Sequence, residues 1–99
     1  DLGLRAKRQG VLAKLAAQGG ELERAEALAR EAVALAEQTD YVLFHADVLL
    51  DLAEVLRLAG RPEEAEAACG EAARLYERKG NVVAARKARA ALTDLGALV

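Results

Sequence analysis

Slid along itself by 40 residues, the chain meets its own residues at 12 of the first 40 positions, and nine of the 18 positions from Gly20 to Glu37 agree with Gly60 to Glu77. The agreeing pairs are Gly20/Gly60, Glu23/Glu63, Ala25/Ala65, Glu26/Glu66, Ala27/Ala67, Glu31/Glu71, Ala32/Ala72, Leu35/Leu75 and Glu37/Glu77. Upstream, Ala6/Ala46, Leu12/Leu52 and Ala13/Ala53 keep the register, and Leu92 falls at the same place in a third, incomplete copy. A fixed period of this length marks a stacked array, in which one supersecondary unit cannot bury its apolar face alone and does so against its neighbours.

The unit is helical. Ala and Leu dominate, Glu and Arg follow, and Ile, Met, Trp and Ser are absent, which is a helix-forming alphabet nearly without strand formers. Gly19-Gly20, Thr39-Asp40, Gly60 and Gly80 divide the chain into five segments joined by short breaks, the connection length of antiparallel helices. The order reads A1-B1-A2-B2-A3, with a first repeat over about 1–39, a second over about 40–79 and a terminal helix over about 81–97, all in one unit spanning 1–99. Asp40 and Asn81 are expected to cap A2 and A3. Pro62 suits the first position of B2, and Gly80 suits a left-handed helix stop.

Apolar spacing assigns the surroundings of each helix. In B1, Leu22, Ala25, Leu28, Ala29, Ala32, Val33, Leu35 and Ala36 follow one face, while Glu23, Arg24, Glu26, Arg30 and Glu37 occupy much of the rest. A2 is apolar from Tyr41 to Ala59 apart from His45 and a stripe of Asp47, Asp51, Glu54 and Arg57, so it belongs at the centre of the stack. Ala25, Ala32, Ala65 and Ala72 let the B helices approach the A helices closely.

At these residues the chain resembles the tetratricopeptide repeat, whose unit carries Leu-Gly in helix A, Gly between the helices and Ala-x3-Phe in helix B. Leu12-Ala13 and Leu52-Ala53 match the first pair with Ala for Gly, Gly20 and Gly60 match the turn, and Ala25, Ala65, Ala32 and Ala72 match the small positions of helix B. The chain departs from the pattern at Ala29 and Cys69, which replace the Phe, and in a period of 40 against about 34, which implies longer helices. The resemblance implies an all-α fold of antiparallel helix hairpins in a right-handed superhelix, five helices in all. It also implies a noncatalytic module that binds a protein or peptide. The phrase Gly60-Arg61-Pro62-Glu63-Glu64-Ala65 is similar to long-period arrays in large bacterial regulators, and abundant Ala and Arg without Ile fits a GC-rich bacterial genome.

Chemistry finds little foothold. The 14 basic and 16 acidic side chains leave a net charge of −2, with no broad positive field for nucleic acid or an anionic membrane. No apolar run approaches the roughly 18 residues that cross a bilayer. His45 is the single histidine and reads as structural, Cys69 as an inward-facing small apolar group, and no phosphate-cradling glycine loop is present. Neither a metal nor another cofactor is expected, and an enzyme is disfavoured because no nucleophile–base or metal constellation is found. One cysteine permits no internal disulfide and points to a reducing, cytoplasmic setting, and a start at Asp1 suggests a piece of a longer protein. Glu63-Glu64 and Glu23/Glu26 read as solvated outer faces.

Two surfaces remain. The family's concave face, carried over by register, places Lys7 and Lys14 from A1, Asp47, Leu50, Glu54 and Arg57 from A2, and Lys87 and Asp94 from A3. Opposite charges are expected to meet at Lys7–Asp47, Asp47–Lys87 and Lys14–Glu54. These residues are either ion pairs that fix the stacking register, each worth about 0–1 kcal/mol, or a polar peptide-binding groove. The second surface is A3, with Val82, Ala85, Ala88, Leu92, Leu95 and the end Ala97-Leu98-Val99, which could continue the stack or self-associate. A structural spacer or self-association segment without a separate ligand is therefore the alternative function.

Overall fold

The computed structural model describes residues 1–96, so Ala97-Leu98-Val99 lie outside the described residues. Five helices follow one another: α1 (Leu2–Gln18), α2 (Leu22–Glu37), α3 (Val42–Leu58), α4 (Pro62–Arg78) and α5 (Val82–Gly96). Consecutive helices pack together, with α1 on α2 and α3 on α4 the most extensive pairs, and α3 touches α1, α2 and α4. The expected central place of the third segment follows from its sequence: Ala46, Val48, Leu49, Leu52, Ala53, Val55 and Leu56 are buried around most of its circumference.

Breaks form where glycine permits a conformation other residues resist. Gly20, Gly60 and Gly80 have φ of 80°, 76° and 77°. Each closes a helix by the same pair of bonds: at Gly60, the Gly60 N–H donates to Arg57 O and the Arg61 N–H to Leu56 O. Asn81 caps α5 by accepting from the Ala84 N–H at 3.1 Å, as expected, and Pro62 opens α4. Asp40 does not cap α3. The Thr39 hydroxyl takes that corner instead, donating to Ala36 O at 2.7 Å and accepting from the Tyr41 N–H at 3.2 Å. Asp1 caps α1 through Gly3 N–H at 3.0 Å.

The small residues lie at the helix contacts. Ala25 and Ala65 are fully buried, as are Ala6, Ala36, Ala46, Ala72, Ala73 and Ala88, and Ala32 is nearly so. Gly10, inside α1, faces α3: a Cβ there would come within 3.6 Å of Asp51 and 4.0 Å of Val48. Outside the apolar core, Glu26 of α2 binds both Arg30 at 2.8 Å and Arg61 of the turn before α4, and Glu64 receives Arg61 at 2.8 Å. Glu26 and Glu64, expected on purely solvated faces, thus sit in a network that ties one hairpin to the next. Bonds from Arg61 and Arg30 hold the Glu26 carboxyl below its usual pKa.

The last described helix, α5, leaves a polar face exposed. Ala46, Leu49 and Ala53 of α3 are buried, but the residues 40 positions later are Arg86, Arg89 and Thr93, all exposed. Its apolar row goes to α4 instead, with Ala85, Ala88 and Leu95 buried and Leu92 half-buried, and Arg89 pairs with Glu77 of α4 at 2.8 Å. Val82 and Val83 are the large apolar residues that α5 leaves exposed.

Candidate functional site

The polar stripe of α3 runs along one side of the stack, between α1 and α5, and three adjoining hollows follow it. The largest, about 490 Å³, lies between α3 and α5 and is lined by Leu50, Ala53, Glu54, Arg57, Cys69, Ala91, Asp94 and Leu95. It opens because α3 and α5 each rest on α4 rather than packing along each other, and because the residues facing the gap, Ala53, Cys69 and Ala91, are small. A second hollow of about 270 Å³ is lined by Lys14, Ala17, Gln18, Asp51, Glu54, Val55 and Leu58. A third of the same size holds Lys7, Gly10, Val11, Lys14, Phe44, Asp47, Val48 and Asp51. Of the eight residues expected on this face, Leu50, Glu54, Arg57 and Asp94 therefore share the large cavity and Lys7, Lys14 and Asp47 the neighbouring hollows. Lys87 is exposed on α5 and lines none of the three.

The charge pairing differs from the register expectation. Lys14 meets Asp51 at 3.2 Å rather than Glu54, because Gly10 admits the Asp51 carboxylate against α1 one turn earlier. Glu54 is taken within its own helix by a two-pronged bond from Arg57, with Nη2 at 2.6 Å and Nε at 3.0 Å. Asp47 pairs with neither Lys7 nor Lys87. It accepts a hydrogen bond from the hydroxyl of Tyr76, which reaches across from α4, and burial together with this bond pushes the Tyr76 pKa well above its ordinary value. Asp94, Lys7 and Lys87 form no ion pair among the described residues. The two carboxylates nearest α1 are thus held internally, while the cavity between α3 and α5 presents apolar walls, a closed Glu54–Arg57 pair and the Asp94 carboxylate.

The cavity residues that sequence spacing did not place in the groove are Ala53, Cys69, Ala91 and Leu95. Ala53 and Cys69 were legible as inward positions, but nothing in a helical period says that the space before them stays open. Cys69 lies on the α4 side, 2% exposed, and burial with the carboxylates of Glu54 and Glu66 raises its thiol pKa, so it is a weak nucleophile. His45 is half-buried with Nε2 3.9 Å from a Glu37 oxygen. No group of three His, Cys, Asp or Glu side chains suited to a metal occurs among the described residues, and none of the described helices is long and apolar enough to cross a membrane.

Burial raises the Asp51 pKa more than Lys14 lowers it. The folded form then holds its proton at a higher pH than the unfolded chain, so the ionised carboxylate works against folding once the pH exceeds the ordinary Asp range. Asp51→Asn is expected to raise the urea midpoint at pH 7 and to leave it unchanged near pH 3, where both states carry the proton. A midpoint lowered at pH 7 would mean that the Lys14 pair outweighs the burial.

Residues 45–79 match the family model described as tetratricopeptide repeat. No curated protein and no solved structure gives a significant match.

Proposed function

From the premise that the chain is a tetratricopeptide-like repeat segment, we propose that it is a noncatalytic protein-interaction module whose two repeats, about 1–39 and 40–79, and terminal helix display one peptide-binding face. The observation that carries this reading is the cavity between α3 and α5, about 490 Å³ with apolar walls and charges at its rim. That volume falls within the ~300–1,000 Å³ of small-ligand pockets and admits one or two side chains of a peptide. A rigid array supports such binding because its side chains are already positioned, so little conformational freedom is lost on the module's side. Leu50, Glu54, Arg57 and Asp94 form the contact set, with Lys7, Lys14, Asp47 and Lys87 farther along the same face. The setting we propose is a larger regulatory protein of the bacterial cytoplasm, which the Ala- and Arg-rich composition supports.

Selection of a displayed peptide library against the chain tests the reading. Ala91→Phe places a ring in the cavity from a half-buried position. Selected peptides should lose at least tenfold in affinity for this variant. Failure to select a binder, or binders indifferent to Ala91→Phe, would leave the alternative, a spacer or self-association segment.

A further inference from the structure

The cavity between α3 and α5 has a described helix on either side and Cys69 of α4 on its floor. Three of its lining residues are charged, Glu54, Arg57 and Asp94. Glu54 and Asp94 occupy the same register position 40 residues apart, and both carry a carboxylate. Only the first has a counter-ion. Arg57 closes on Glu54 from three positions along α3, with Nη2 at 2.6 Å and Nε at 3.0 Å, whereas the residue 40 positions after Arg57 is Ala97. One turn before Asp94 stand Ala90 and Ala91, which supply no cation, and Asp94 forms no ion pair among the described residues.

The repeat has thus kept an acid on both sides of the cavity and an arginine on one. The Glu54–Arg57 pair is neutral as a unit, so the rim carries the charge of Asp94. The floor feels the same sign: burial first, then the carboxylates of Glu54 and Glu66, holds the Cys69 thiol above its ordinary pKa. The remaining walls, Leu50, Ala53, Ala91 and Leu95, are apolar. An apolar side chain entering here strips water from the Asp94 carboxylate, which is exposed in the free chain. A ligand without a cation leaves that charge desolvated and unpaired, and an acidic ligand adds repulsion. A lysine or arginine beside the apolar residue offsets both.

We propose that the peptide taken by this cavity is basic: an apolar side chain fills the space between α3 and α5, and a Lys or Arg within two residues of it pairs with Asp94. The inference rests on the cavity reading and adds the chemistry of the occupant to it. Charge complementarity selects a basic segment over a second copy meeting the same face, because that arrangement would set Asp94 against Asp94.

The test is selection of a displayed library of random peptides on the 99-residue chain, followed by titration of the selected peptides by fluorescence anisotropy. Selected sequences are expected to pair an apolar residue with Lys or Arg and to bind more weakly as salt rises. Asp94→Asn should cost about threefold in affinity, the scale of an exposed ion pair. Asp94→Lys should cost at least tenfold and, when the selection is repeated on it, should turn the preference to peptides with Glu or Asp. Glu63→Lys makes the same change of charge at an exposed position of α4 away from the cavity and should leave the affinity unchanged. Circular dichroism checks that each variant keeps the helical fold. Peptides that lose affinity with Ala91→Phe yet carry no basic residue, or are indifferent to Asp94→Lys, would overturn this inference and leave the cavity reading standing. An equal loss with Glu63→Lys would mean that only the overall charge of the chain is read, and dimerisation of the chain abolished by Asp94→Lys would make the occupant a second copy; either result overturns the proposal. Failure to select any binder would overturn both readings together.

Discussion

Leu56→Ala is expected to destabilise the chain by about 2–5 kcal/mol, the range for removing a large aliphatic side chain from a core. Leu56 is 1% exposed and sits where α2, α3 and α4 meet. Its loss both reduces the apolar area that folding removes from water and leaves a void that three helices must collapse to fill. A domain of this size has about 5–15 kcal/mol in total, so the change removes a large share. The melting midpoint should fall by about 4–8 °C for each kcal/mol. Urea unfolding followed by circular dichroism checks this, and a shift within the ±0.5 kcal/mol of a surface substitution would mean that the three-helix junction is not packed as described.

Ala65→Leu is expected to cost about 1–3 kcal/mol by the opposite mechanism. Ala65 has no exposed surface, so the added atoms force α4 away from its neighbours rather than filling open space. Ala67 provides the control, since it also repeats with the 40-residue period, matching Ala27, but is exposed. Ala67→Leu should stay within about 0.5 kcal/mol of the unmodified chain. Equal midpoints for Ala65→Leu and Ala67→Leu would remove the close approach of helices on which the stacking rests.

A weaker perturbation separates the cavity from the core. Ala91→Phe acts at the cavity between α3 and α5 from a half-buried position, so it should not approach the cost of Leu56→Ala. Binding losses without a matching loss of stability are the signature of display sites on a rigid scaffold.

The sequence by itself determined the helices and where they stop. Alanine and leucine at helical spacing require burial on one side, and glycines at 20, 60 and 80 supply the left-handed stops that other residues resist. It also determined which alanines are interior, because Ala25 and Ala65 share the apolar arc of their helices while Ala27 and Ala67 do not. Only the tertiary structure decided which charges meet and where a cavity opens. The period places Lys14 level with Glu54, yet Gly10 admits Asp51 to Lys14, Arg57 closes on Glu54, and Tyr76 takes Asp47 from another helix. Long flexible side chains reach over several ångströms, so a shift of one helical turn changes their partners without disturbing the apolar pattern. The space between α3 and α5 likewise depends on how far each helix stands off α4, a distance that no spacing of residues along one chain encodes.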